Sequence, residues 1–340
     1  MTSAPTSAAA AWREGMRRVN RAPLVLLGVW LATALISLAP ALVLRGMIAR
    51  HLGDSLEAET AATGVNYNWM QEFAEQASGI GVTFKPTIIG FGAALDNASA
   101  FADNTPRPVV IVGIASAYIG VWLFVAGGII DRYARDHATR AHGFFAAAGV
   151  YFLRFLRLAI VQWTVYALLF GQLHPFLFNR LFRRLTHDMT AEREAFALRV
   201  LLYLGFGLLV ALCALVFDYA KVRAVVEDRR SMLGSIVAGA RFVIRQGAPA
   251  GLFFSNFLLF VTIVAAYGLV APGAAHSPTA LWVGFAVGQL YVLARLWVKL
   301  VFWASETALF QGRLAHAGYV ATPEPAWPDS PAAEAIRPLA

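Results

Sequence analysis

Five ionisable side chains stand where a long apolar chain tolerates them least. Arg295 and Lys299 are four residues apart, on one face of a helix, and Glu306 follows two turns on. Asp131 and Asp218 each close a long uncharged stretch, in Ile130-Asp-Arg-Tyr-Ala-Arg135 and Phe217-Asp-Tyr-Ala-Lys221. A charge near the centre of a bilayer costs at least about 2.5–3.5 kcal/mol, so intramembrane ionisable groups are the first candidates for function. Brought together, these five could form a gate on a polar path. Left apart, they are helix-end ion pairs whose side chains reach toward water. The spacing alone allows both.

No other chemistry announces itself. The chain has no GxxxxGK[ST] loop, no HExxH and no GxSxG, so no catalytic residue, cofactor site or metal site is assigned. The seven histidines are scattered through loops and helix ends, which makes each an interfacial residue. The single cysteine, Cys213, lies inside the apolar run 200–217 and has no partner for a disulfide or for zinc. It reads as a small buried or lipid-facing hydrophobe.

The elements that must position these residues follow from composition. Of 340 residues 59% are hydrophobic and 14% charged, where a soluble domain carries roughly 25% charged. There is too little charge to cover a water-facing surface, and disorder and collagen-like repeats are excluded with the soluble class. The net charge of +8 could suggest nucleic acid, but the bases cluster beside apolar spans and form no single face. A membrane accounts for that placement, and nucleic acid is not expected as a partner. The expected fold is an all-α, polytopic integral membrane bundle of about six transmembrane helices, with amphipathic helices at the interface.

Crossing the hydrocarbon takes about 20 apolar residues. Uncharged stretches place spans at about 23–44, 108–130, 158–179, 200–217, 248–270 and 279–303. Residues 1–22 form an N-terminal interfacial helix, and 304–340 a Pro- and Ala-rich tail that is in part disordered. The first span is too long for a signal-peptide core and has no clean cleavage site after it, so it is expected to stay. With the N-terminus inside, 19 of the 28 basic residues fall on the cytoplasmic side. The location implied is a bacterial inner membrane with both termini cytoplasmic. The exception is the connection 180–199, where Arg180, Arg183, Arg184, Arg193 and Arg199 would face outward.

Residues 45–107 form the one sizeable outer loop, with four basic and seven acidic side chains. Its helix-like piece is Tyr67–Ala77, with Tyr67, Met70, Phe73, Ala74 and Ala77 on one face. The loop is either a helical hairpin packed on the membrane surface or on the bundle, or a re-entrant segment, which needs protein or a water-filled cavity around it. Asn97-Ala-Ser99 matches a glycosylation sequon, which carries little weight in a chain of bacterial character. Gly284 and Gly288, with Gly205 and Gly207, are expected to let helices approach closely.

A recurrence orders the rest. Gly15-Met-Arg-Arg-Val-Asn-Arg21 precedes the first span and Gly239-Ala-Arg-Phe-Val-Ile-Arg245 the fifth, while Gly149-Val-Tyr-Phe-Leu-Arg-Phe155 is a looser version before the third. Leu215-Val-Phe217 and Leu300-Val-Phe302 recur near the ends of returning spans. The pattern is three hairpin-type copies, each an interfacial helix, an outgoing span and a returning one, or else a chance likeness among Arg-rich helix ends. On the interfacial helices Arg17, Arg18, Arg21, Arg154, Arg157, Arg241 and Arg245 are expected to reach anionic lipid headgroups. The stretch Asp218-Tyr-Ala-Lys-Val-Arg-Ala-Val-Val-Glu-Asp-Arg-Arg-Ser231, with the amphipathic helix after it, loosely resembles bacterial six-span membrane proteins of unknown function. That group includes the membrane domain of glycerophosphodiester phosphodiesterases. The soluble phosphodiesterase domain has no counterpart here, so the resemblance implies a membrane fold and no activity.

Three functions compete. One is a non-catalytic protein that organises the membrane or assists protein partners, including other copies of itself. Another is a transporter or channel with its path along the repeat axis, and the third is an intramembrane enzyme acting on lipid. A dry, side-chain-filled centre would favour the first, and a continuous polar cavity the second.

Overall fold

Ser7 opens the first helix: its hydroxyl accepts the Ala10 amide at 3.2 Å and caps α1, Ala8–Asn20. The structure, a computed structural model, describes residues 7–85, 87, 90–273 and 277–313. Pro23 restarts the chain at the first position of α2, Pro23–Asp54, where a missing N–H costs nothing. The outer loop carries α3 (Ala58–Thr63), α4 (Tyr67–Gln76), a tight helical turn at Gly79–Thr83 and α5 (Phe91–Ala102). Then come α6 (Val110–Arg135), α7 (Ala141–Leu168), α8 (Phe182–Thr186), α9 (Glu192–Val226), α10 (Met232–Arg245), α11 (Gly247–Val270) and α12 (Pro278–Arg313). No strand occurs among the described residues.

Among the described residues six helices are long and apolar enough to cross a membrane: α2, α6, α7 with its continuation to Thr186, α9, α11 and α12. The molecule is an all-α, polytopic helical bundle. Its helices outrun the apolar windows that mark them in the sequence. At 1.5 Å per residue the 35 residues of α9 reach about 50 Å, well beyond a hydrocarbon core of ~30 Å. Arg45 and Arg50 therefore sit in the projecting end of α2, where a charge does not stop a helix, and α12 likewise carries Glu306 on to Arg313. The amphipathic helix expected before the third span is continuous with it. Pro175 does not end that span. Two π-helical turns, Leu169–Leu173 and Phe176–Leu181, flank His174-Pro175 and absorb the missing hydrogen bond.

The packing has a regular order. α1 lies along α12, the first turns of α7 lie along α6, and α10 lies along α9, while α6, α9 and α12 touch one another. Small residues permit it, though not those the spacing had marked. A methyl at Gly205, Gly207 or Gly288 would meet nothing within 4 Å, and at Gly284 it would meet only Pro272. Backbone contact is instead made at Gly15, whose added Cβ would lie 2.6 Å from the Ser305 nitrogen, and at Gly128, 2.6 Å from the Phe144 carbonyl.

Burial is concentrated at one end. Ile129, Ile130 and Tyr133 of α6, Ala220, Ala224 and Val225 of α9, and Leu300, Val301 and Ala304 of α12 form a sealed core beside α1. Toward the other end Leu35, Leu38 and Leu42, Leu201, Leu204 and Leu208, and Leu281 and Phe285 are exposed, as surfaces facing lipid would be. The bundle is tight where α1, α10 and the first turns of α7 lie, and splayed beyond.

The outer loop folds onto that splayed end. Trp69 and Phe73 are buried in it, packed with His51 and Phe84, while Tyr67 is exposed. The inward face of α4 is thus turned from the one its apolar spacing suggests, because the Trp69 indole donates to His51 Nδ1 at 3.1 Å on the end of α2. α5 packs on α11 through Phe91 against Gly268. Of the apolar stretch 87–94, Ile88 and Ile89 lie outside the described residues, as do residues 314–340 of the expected tail.

Candidate functional site: a chamber among the six spans

A cavity of about 940 Å³ opens inside the bundle, with side chains from α2, α6, α7, α9, α11 and α12 in its wall. Its upper wall is largely apolar, built by residues such as Ile111, Ile114, Ile119 and Phe260. Toward the sealed core it narrows onto a polar floor. There Asp218 Oδ1 accepts from Lys221 Nζ at 2.8 Å and from the Trp303 indole at 3.4 Å.

Lys299 stands apart from that pair. Its Nζ is 3.4 Å from the centre of the Trp122 ring and 5.8 Å from both Tyr118 and Trp303. It has no hydrogen bond and no ion pair among the described residues. Trp122 and Trp303 meet edge to face at 5.6 Å, which fixes the two rings that hold the ammonium. Arg295, one turn earlier on α12, is exposed to the cavity with its guanidinium 5.6 Å from the Tyr291 ring. A desolvated cation–π contact is worth about 2 kcal/mol and a lysine at the bilayer centre costs about 2.5–3.5, so the rings offset much of the cost of Lys299. Lys299 and Arg295 face the chamber with no carboxylate partner among the described residues.

The five residues singled out by spacing do not form one cluster. Asp218, Arg295 and Lys299 line the chamber. Asp131 does not line it: it is buried and paired with Arg135 at 2.9 Å, an ion pair within one helix end. Glu306 is fully buried in the core below the floor, and neither carboxyl oxygen has a partner among the described residues. Lys221, part of the recurring span end Phe217–Lys221, completes the floor with Trp122, Trp303 and Tyr118, and these three carry no sequence signal of their own, because an aromatic inside an apolar span reads as packing.

The interfacial arginines divide in the same way. Arg21, Arg157, Arg241 and Arg245 are exposed. Arg18 is not available to lipid: it is buried, donating to the Tyr133 carbonyl at 2.8 Å and to Gln311 Oε1 at 2.9 Å. Arg17 bridges Glu14 and Asp136, and Arg154 pairs with Asp228 at 2.5 Å. These three are turned inward because α1 and α7 bury one face against a neighbour, and a long basic side chain on that face finds a carbonyl or carboxylate first.

At the opposite end of α7 a second polar recess of about 440 Å³ forms around the π-helical turns. His174 is buried there and its Nε2 lies 2.8 Å from the Ala102 carbonyl, tying the end of α5 to the span. Tyr203 donates to Asp103, and this bond holds the Asp103 carboxyl below the usual carboxylate range against the effect of burial.

No protein-family model matches the chain, and neither a curated protein nor a solved structure matches it. The class therefore rests on the fold: a multi-pass helical membrane protein with a chamber among its spans.

Proposed function

We propose that the chain is a membrane carrier or holder of an amphiphilic anion, the apolar part of which lies in the upper chamber while its charged head sits on Lys299 and Arg295. The observation that carries this reading is Lys299 itself, an ammonium with only aromatic faces for company at the floor of an apolar-walled cavity. Of the competing functions this favours a path within the bundle. The core sealed below the floor argues against an open channel, and a carrier requires that seal to alternate.

The arrangement of three copies belongs to the same reading. Gly15 lies on Ser305, and Gly239 lies 3.2 Å from the Ala220 amide when a Cβ is added, the same register after Leu300-Val-Phe and Leu215-Val-Phe. In the middle copy the small residue of the interfacial helix is the fully buried Ala148 and not the exposed Gly149, which brings Arg154 level with Arg21 and Arg245. Three returning spans around one axis would then place the chamber at the centre of the repeat. An orientation with both termini cytoplasmic in a bacterial inner membrane follows from the basic residues and puts the floor near the cytoplasmic leaflet. The loose resemblance to six-span bacterial membrane proteins accords with this and adds no substrate.

The purified full-length protein in nanodiscs, titrated with a fluorescent long-chain carboxylate, the alcohol and the amine of the same chain, tests the proposal. The carboxylate should bind at least about tenfold more tightly than the alcohol, equivalent to about 1.4 kcal/mol, and Lys299→Gln should remove the difference. Equal affinity for all three would leave the chamber as packing space, and the organising, partner-assisting function would then be the better account.

A further inference from the structure

We infer a second, separate binding site: a slot between α2, α6 and the start of α7 that holds one anionic phospholipid, its phosphate on Arg21 and Arg132. The slot has a volume of about 490 Å³. It exists because α2 is held loosely. Val29 is the one buried residue of α2, and the side of Gly28 is open, with nothing within 4 Å of an added Cβ. Apolar groups such as Val125 and Phe144 form the facing wall.

Length and charge identify the occupant. The slot runs along α2 as far as Ile36, and the 14 residues from Pro23 to Ile36 rise about 20 Å, somewhat more than half of a ~30 Å hydrocarbon core. That is the depth of one leaflet, open sideways to lipid. Both arginines stand at the same end, beside the start of α2 and the end of α6. Arg132 is 9% exposed and makes no hydrogen bond or ion pair among the described residues. Asp136, one turn on, is engaged by Arg17 at 2.6 Å. A guanidinium this enclosed and without an acceptor, next to an exposed second one, suits a phosphodiester, which takes two parallel N–H donors from each fork. A free phosphate would satisfy the arginines and leave the apolar slot unused, so the lipid is the better fit to both halves.

Native mass spectrometry of the full-length protein, taken from vesicles of phosphatidylcholine containing a minority of phosphatidylglycerol, reads the bound lipid directly. The wild type should retain phosphatidylglycerol well above its share, and Arg132→Gln should bring retention down to that share. Gly28→Phe, which fills the slot and leaves both arginines in place, should do the same, so a folding defect in one variant does not decide the matter. Arg193→Gln, an exposed arginine at the start of α9 that lines neither the slot nor the chamber, should retain lipid as the wild type does. Unchanged retention in both Arg132→Gln and Gly28→Phe would overturn the site. Displacement of the lipid by inorganic phosphate would show an anion site without the acyl slot, and would overturn the lipid as its occupant.

Discussion

Arg18 donates to Gln311 across 293 positions of sequence, at 2.9 Å, and so ties the first helix to the last. The same guanidinium holds the Tyr133 carbonyl at the end of α6, and Gln311 Nε2 donates to the Ala134 carbonyl at 2.9 Å beside it. Three elements, α1, α6 and α12, are closed by one polar contact at the sealed end of the bundle. Arg18→Ala would leave two buried acceptors without a donor. Hydrogen bonds to charged groups are worth about 1.5–3 kcal/mol each way, so a loss of that order is expected. Thermal unfolding of the detergent-solubilised protein should show it, and the exposed Arg13→Ala should not. A melting curve for Arg18→Ala equal to the wild type would remove this contact from the account of the fold.

Glycines at the helix crossings carry a sharper expectation. Gly15→Ala would place a methyl 2.5 Å from Ser305 Cβ and Gly128→Ala would place one 2.6 Å from the Phe144 oxygen. Neither neighbour is a flexible side-chain end, so α1 must move off α12, or α7 off α6. Overpacking of this kind costs about 1–3 kcal/mol. Gly120→Ala, on the open side of α6, should instead be neutral or gain a few tenths from helix propensity. Ranking the three variants by melting temperature checks the crossings directly.

Acid should loosen α1 before it affects the spans. Burial works against the ionised form of Glu14, but the hydrogen bonds from Arg17 and Arg18 outweigh it and hold the carboxyl below its ordinary 4.5. With a folded value lower than the unfolded one, Glu14 adds stability above about pH 4.5, and loses it as pH falls through the lower folded value. Glu14→Gln should therefore be less stable than the wild type at neutral pH and approach it as the solution is acidified below 4.5. A constant difference across that range would mean the pairing is not maintained by charge.

Much of this arrangement was legible in the sequence, for a physical reason. Apolar length is set by the bilayer, so uncharged runs located the spans, and the fifth, expected at 248–270, is Gly247–Val270. Helix ends were less legible, because a helix that has left the hydrocarbon tolerates charge, as α2 does through Arg45 and Arg50. Lys299 and Asp218 stood out as charges inside or beside a span. Arg132 did not, since a basic residue at a span's end is the commonest thing to find there, and only its lack of an acceptor distinguishes it. Trp122 gave no sign either, as its role depends on a lysine brought to it from another part of the chain, and Trp303, one turn after Lys299 on α12, reads as packing.

Glu306 poses the remaining energetic question. It is fully buried, one residue from Ser305, whose hydroxyl accepts from Asn256 at 3.0 Å, and both of its oxygens are unbonded among the described residues. The Tyr219 hydroxyl and Asn256 Oδ1 are likewise buried without partners among those residues. In either protonation state the carboxyl leaves polar atoms unsatisfied, at a cost of about 1–3 kcal/mol for each. An apolar residue of similar volume removes that cost and keeps the packing, and such replacements of buried ionisable groups are often neutral or stabilising. Glu306→Met should accordingly fold in normal yield and melt at or above the wild-type temperature. The carrier reading adds a second expectation for the same variant: binding of the carboxylate probe to the chamber should persist, because Glu306 does not line it. A variant that folds but no longer binds would make Glu306 part of the floor's chemistry. A variant that melts far below the wild type would mean that the carboxyl has a structural role at the junction of α9, α11 and α12.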